Sequence, residues 1–162
     1  MEDLSLPDEE LDPEELRIDS LGPALIPSPL GLSACYGDSI ANYVQDGETV
    51  LYDLDRDRIA SRIRSGRPPA AFQRAGPRAR IYFEPSKTRA AVVTCGGLCP
   101  GINNVIRSLV MSLHYRYGVP EILGIPYGLR GFIARYGYRP IALDPEQVHD
   151  IHEKGGSILG SS

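Results

Sequence analysis

The stretch Ala90-Ala91-Val92-Val93-Thr94-Cys95-Gly96-Gly97-Leu98-Cys99-Pro100-Gly101-Ile102-Asn103-Asn104 constrains this chain more than any other. A short β-branched run breaks at two glycines, a Pro-Gly corner follows, and apolar residues then recur at helical spacing. Glycine lacks the Cβ that would keep the backbone away from an anion. The first-turn N–H groups of a helix carry partial positive charge. The order strand, phosphate-compatible turn, helix is therefore expected, with Gly96, Gly97, Gly101 and Asn103 as the residues offered to an anion. The stretch has neither the Lys-Ser/Thr of the triphosphate loop nor the alternating glycines of the dinucleotide fingerprint. A tight turn without a ligand is the competing reading, and Asn103 suits both a helix cap and a ligand contact.

The apolar run Ala90 to Thr94 has the pattern of a strand buried on both faces of a parallel sheet. Ile102, Val105, Ile106, Leu109, Val110 and Leu113 fall on one helical stripe, which closes near Gly118 before Pro120. Glu121 to Pro126 supplies a second strand, and a crossover of this length makes the two strands parallel. Asp144-Pro145-Glu146 opens a last helix with an N-cap and a first-position proline, running to about Lys154 and stopped by Gly155-Gly156. Gly155 to Ser162 is a second loop rich in glycine and hydroxyls, offering Gly160 and Ser161; a tail of small residues is the alternative. Both loops converge on the carboxyl edge of the sheet, where open α/β sheets bind ligands. The expected fold class is α/β, a partial Rossmann-like parallel sheet.

Residues 1–80 read as an extension, partly disordered, and residues 81–162 as an incomplete nucleotide-binding domain. The first sixteen residues hold eight acidic and no basic side chains, the composition of a mobile tail. Residues 20–32, with Pro23, Pro27 and Pro29, form a linker. Asp46-Gly47 lies between the β-prone runs Tyr43-Val44 and Thr49-Val50-Leu51-Tyr52, so a hairpin is expected there. Residues 56–89 carry ten Lys or Arg and read as a solvated surface segment more than as an anion site.

A net charge of -4 argues against nucleic acid as a partner. No apolar run approaches the roughly 20 residues that span a bilayer, and the acidic N-terminus is unlike a signal peptide. A cytoplasmic protein without membrane contact is the expectation. Cys35, Cys95 and Cys99 make no disulfide framework, and Cys95 with Cys99 lacks the second ligand pair that zinc needs. His149 and His152 have no carboxylate set around them, and no serine has a base placed for it. No metal ligand or catalytic residue is expected within the chain.

Three segments occur in one order and at one spacing: Val93 to Arg107, then Gly124-Ile125-Pro126-Tyr127-Gly128-Leu129-Arg130-Gly131-Phe132, then Lys154-Gly155-Gly156-Ser157-Ile158-Leu159-Gly160-Ser161-Ser162. In these the chain resembles the N-terminal part of a 6-phosphofructokinase, with the flavour of the long-N-terminus ATP-using branch related to pyrophosphate-dependent enzymes. The resemblance implies ATP phosphates at Gly96 and Gly97, with the loop from Gly155 to Ser162 beside the same nucleotide. It implies transfer of the ATP γ-phosphoryl group to the 1-hydroxyl of fructose 6-phosphate, giving fructose 1,6-bisphosphate, with Mg2+. It also implies a homo-oligomer when full length. The family's magnesium-binding Gly-Gly-Asp segment, its Thr-Ile-Asp-Asn-Asp segment with the general base, and its sugar-phosphate residues lie beyond these motifs. The chain by itself is therefore expected to be inactive. Leu129 replaces a tyrosine frequent in the family, and Met111 replaces the companion of the effector-site arginine matched by Arg107, so bacterial-style allostery does not carry over. Pyrophosphate as the donor, and a non-catalytic nucleotide-binding module, are the alternatives.

Overall fold

The computed structural model of the protein describes residues 16–97 and 99–161. The expected acidic tail lies almost wholly outside the described residues. The strands and helices run β1 (Ile26–Pro27), β2 (Thr49–Leu51), α1 (Arg56–Arg64), β3 (Ala71–Gln73), β4 (Arg80–Ile81), β5 (Arg89–Val93), α2 (Ile102–Met111), β6 (Glu121–Ile125) and β7 (Ile141–Ala142). The described residues divide into two compact units, one of 16–25 with 32–80, the other of 26–31 with 81–97 and 99–161. None of the helices among the described residues is long and apolar enough to cross a membrane.

In the first unit the turn foreseen at Asp46-Gly47 is present. Gly47 takes φ 86°, a conformation that favours glycine, and the Glu48 N–H donates to the Gln45 carbonyl at 3.3 Å. The hairpin partner differs from the expectation. β2 pairs antiparallel with β3, Val50 opposite Phe72, while the Val44 N–H donates to the Pro77 carbonyl at 2.9 Å. Tyr52 and Phe72 meet edge to face with centroids 5.6 Å apart, a cross-strand contact that Tyr43-Val44 does not offer. α1 starts where the Asp55 carboxylate accepts from the Asp57 and Arg58 N–H groups, and it buries no residue.

The Glu48 carboxylate ties this unit together. It accepts from the Gln45 N–H at 2.7 Å, the Tyr36 hydroxyl at 3.0 Å and Arg74 at 2.6 Å. These donors, the Gln45 N–H first, hold its pKa below the ordinary 4.5, and the same carboxylate raises that of Tyr36. A carboxyl depressed on folding stabilises the fold above its unfolded pKa, and that contribution disappears as pH falls through the folded value. We expect carboxyl-detected NMR to place the Glu48 midpoint below the ordinary 4.5. The Arg74 side-chain signals should shift over the same acidic interval, and Glu48→Gln should remove that step.

The second unit is built on a strand-helix-strand crossover. β5 and β6 are parallel, with Val92 opposite Gly124 and Val93 opposite Ile125, and α2 connects them. β7 adds antiparallel to the far side of β6, so the three-stranded sheet is mixed where a parallel one was expected. The expectation that β5 is buried on both faces fails. Val92 is buried while Ala91 and Val93 are exposed, because β5 is an edge strand with side chains covered on one face only. Thr94 continues the buried alternation past the end of the strand.

The helical stripe is also narrower than its sequence suggests. Ile106 and Val110 are buried to 1% and 0%, in one cluster with Val92, Ile122 and Leu159, whereas Val105 and Leu109 are exposed. Past Met111 the helix widens into a π-helical turn over Ser112–Tyr117, and Gly118 ends it at φ 70°, near the expected place. The last helix does not form as expected. Asp144 caps as foreseen, its carboxylate accepting from the Gln147 N–H at 2.8 Å, but only turns follow, ending in the 3-10 turn Ile151–Glu153. Between Pro145 and Lys154 only Val148 and Ile151 are buried, too few apolar positions to hold a regular helical face against the core.

Candidate functional site

The carboxyl end of β5, the start of α2 and the loop after Lys154 enclose a cleft of about 210 Å³. Val93, Thr94, Cys95, Gly97, Ile102, Ser157 and Ser161 line it. Ligand pockets for drug-sized molecules run to roughly 300–1,000 Å³, so this cleft suits a phosphoryl group and not a whole nucleotide. Among the described residues the lining carries no charged side chain. An anion here would be met by backbone N–H dipoles and hydroxyls.

Of the six residues offered by the sequence, the structure brings Gly97 and Ser161 into the lining itself. Gly96 precedes them at φ 87°, turning the chain out of β5. Gly101, at φ 85°, is the N-cap of α2; no side-chain bond caps that helix start among the described residues. Gly160, at φ 65°, lies beneath the Tyr127 ring, where an added Cβ would come within 3.0 Å of Tyr127 Cδ1. Any larger residue there would displace the ring or the loop.

Asn103 has a different position from the one a ligand contact needs. It is 3% exposed, its Nδ2 donates to the Lys154 carbonyl at 2.9 Å, and its Oδ1 accepts from the Ile158 N–H at 2.9 Å. One N–H and the oxygen of the amide are bonded to the loop. Asn103 therefore fastens the start of α2 to the segment that carries Ser157 and Ser161.

Two residues that sequence reasoning did not single out complete the cleft. Thr94 Oγ1 donates to the Gly160 carbonyl at 2.6 Å and lies 3.0 Å from Ser157 Oγ. Thr94 has one hydroxyl proton, and a carbonyl can only accept, so Ser157 donates to Thr94. Ser157 Oγ also accepts from the Leu159 N–H at 3.2 Å. On the far side the Tyr127 N–H donates to the Leu159 carbonyl at 2.7 Å, with Tyr127 held at φ 57°, unusual for a residue with a side chain. Thr94 sits on the buried side of a period-two alternation with Val92, and that register was the available signal.

Magnesium prefers carboxylate oxygens. Among the described residues no Asp or Glu lines the cleft, and no group of three His, Cys, Asp or Glu able to hold a metal occurs. The residues present do not fit a protein-held Mg2+ at this cleft.

Fold and cleft together define a chain with an α/β crossover, its glycine turn and a hydroxyl-bearing loop meeting at the carboxyl end of the first parallel strand. Residues 89–162 match the family model described as Phosphofructokinase. Over those residues the chain is similar to the phosphofructokinases. It is 44% identical over 135 residues to ATP-dependent 6-phosphofructokinase 2 of Arabidopsis thaliana, covering 83% of this chain and 29% of that protein. It is 40% identical over 149 residues to the ATP-dependent 6-phosphofructokinase of Amycolatopsis methanolica, covering 92% of this chain and 32% of the relative. Over a shorter stretch of 88 residues it is 52% identical to the ATP-dependent 6-phosphofructokinase of Entamoeba histolytica, covering 54% of this chain and 20% of the relative. The chain thus spans about a third or less of the length of these curated relatives.

Proposed function

We propose that this chain carries the phosphate-binding portion of an ATP-dependent 6-phosphofructokinase, which transfers the γ-phosphoryl group of ATP to fructose 6-phosphate. Residues 81–162 are the opening of its Rossmann-like nucleotide domain. Gly96, Gly97, Gly101, Gly160 and Ser161 surround the phosphates, and Asn103 supports them from behind. The observation that carries this reading is the meeting of two glycine loops, 63 residues apart at Thr94 and Ser157, on one small neutral cleft. The names of the relatives favour ATP over pyrophosphate as the donor. Mg2+ enters bound to the nucleotide, held by residues other than those lining this cleft.

Binding of ATP by the 162-residue chain, followed by 31P and 1H NMR titration, tests the proposal. Hydrogen bonds to a charged group contribute about 1.5–3 kcal/mol, so ATP should bind at least about tenfold more tightly than adenosine. Equal affinity for ATP and adenosine, or no saturable binding of ATP, would overturn it.

A further inference from the structure

Resting on the nucleotide reading above, we infer that Thr94 is a positioning residue: its hydroxyl locks the loop Ser157–Ser161 against the end of β5, so that Gly97 and Ser161 face one phosphate together. Thr94 is 8% exposed and is one of two buried polar residues among those described; Asn103 is the other. Both bond the same loop. Asn103 bonds Lys154 and Ile158, and Thr94 bonds Ser157 and Gly160, so four attachment points from two elements fall within seven residues. Leu159, 2% exposed, anchors the middle of the loop in the core, but glycines at 155, 156 and 160 leave the backbone on either side of it wide freedom. Without the side-chain ties the glycine-flanked stretches around Leu159 would sample more placements, and a phosphate would have to select one of them.

The direction of the hydroxyl bonds sharpens the inference. Because Thr94 donates to the Gly160 carbonyl, the Ser157 proton is committed to Thr94 and is not offered to the cleft. Ser157, although it lines the cleft, thus acts through the loop, while Ser161 and backbone N–H groups remain to donate to a phosphate. The Thr94 hydroxyl is turned to the loop, and branching at Cβ restricts its rotamers, so serine would hold the hydroxyl there with less rigidity and valine would supply none.

The test is ATP and adenosine affinity of the full chain by NMR titration, for Thr94→Val and Thr94→Ser beside the unaltered protein. Thr94→Val is nearly isosteric but breaks both bonds, and it should weaken ATP binding about tenfold while leaving adenosine affinity within about twofold. Thr94→Ser restores the hydroxyl and should recover ATP affinity to within about threefold. A role limited to stability would lower both affinities alike or neither, and that outcome overturns the inference. Should Thr94→Val not fold by circular dichroism, Ser157→Ala at a half-buried position cuts one of the two bonds and should weaken ATP binding about threefold; unchanged affinity there overturns it. An unaltered chain that does not bind ATP refutes the nucleotide reading, whereas equal ATP affinity of the unaltered chain and Thr94→Val refutes only this one.

Discussion

Gly97→Asp should abolish measurable ATP binding while leaving the protein folded. Gly97 lines the cleft, its φ lies outside the left-handed region, and an added Cβ would meet nothing within 4 Å. Substitution there therefore adds charge without strain, unlike at Gly96, where φ 87° makes any side chain costly. A carboxylate about 4 Å from a phosphate oxygen repels it by about 4 kcal/mol per unit charge at an effective dielectric constant of about 20. A hundredfold loss needs only about 2.8 kcal/mol, so a reduction beyond that is expected. Gly97→Asn has nearly the same shape and no charge, and should stay within about tenfold of the unaltered affinity. Retention of full ATP affinity by Gly97→Asp would remove this cleft from nucleotide binding. Circular dichroism spectra that match the unaltered protein would exclude unfolding as the cause of a loss.

How much of this could be read beforehand differs by element. The crossover was legible because Ile106 and Val110 repeat at helical spacing, and because Gly118 and Pro120 stop the helix between two apolar runs. The two glycine loops were legible as loops. What period and composition did not reveal was the covered side of each element: Val105 and Leu109 are as apolar as Ile106, yet only contact with the sheet decides which are buried. The pairing of β2 was hidden for a related reason. A turn signal at Gly47 says that the chain reverses, but the partner is chosen by long-range contacts such as Tyr52 with Phe72.

The site divides in the same way. Backbone-mediated contacts announce themselves through glycine, and Gly97 and Ser161 indeed line one cleft. Side-chain ties across 51 to 66 residues do not, and Asn103 and Thr94 are of that kind. Asn103 next to a helix start fits local capping by its residue type alone. Its burial and its two bonds to the distant loop, visible only in three dimensions, assign it to support. An amide with one donor and one acceptor aimed at two backbone groups of the same loop is well suited to that work, since it satisfies both without a net charge.

The second large effect is one of stability, at Gly131. This residue lies in the 3-10 turn Gly128–Phe132 after β6, and a Cβ there would stand 2.4 Å from the Pro126 carbonyl oxygen and 2.5 Å from Ile125 Cγ2. Neither neighbour yields easily: one is backbone, and the other belongs to a strand residue only 4% exposed. Overpacking of this kind costs about 1–3 kcal/mol and occasionally more, and a clash with a carbonyl belongs at the upper end. Gly131→Ala should therefore lower the urea midpoint by an amount equivalent to about 3 kcal/mol at unchanged slope. Gly155→Ala is the matching control, for its Cβ would meet nothing within 4 Å and its φ needs no glycine, so stability should hold or rise by up to about 1 kcal/mol. The damage at Gly131 should also reach the cleft. Pro126 precedes Tyr127, whose N–H holds the Leu159 carbonyl at 2.7 Å and whose ring covers Gly160, so moving the Pro126 carbonyl shifts the loop that Thr94 ties down. In conditions where Gly131→Ala remains folded, its ATP affinity should fall along with its stability, while Gly155→Ala keeps both; equal stability of Gly131→Ala and the unaltered protein would show that the turn relaxes without cost.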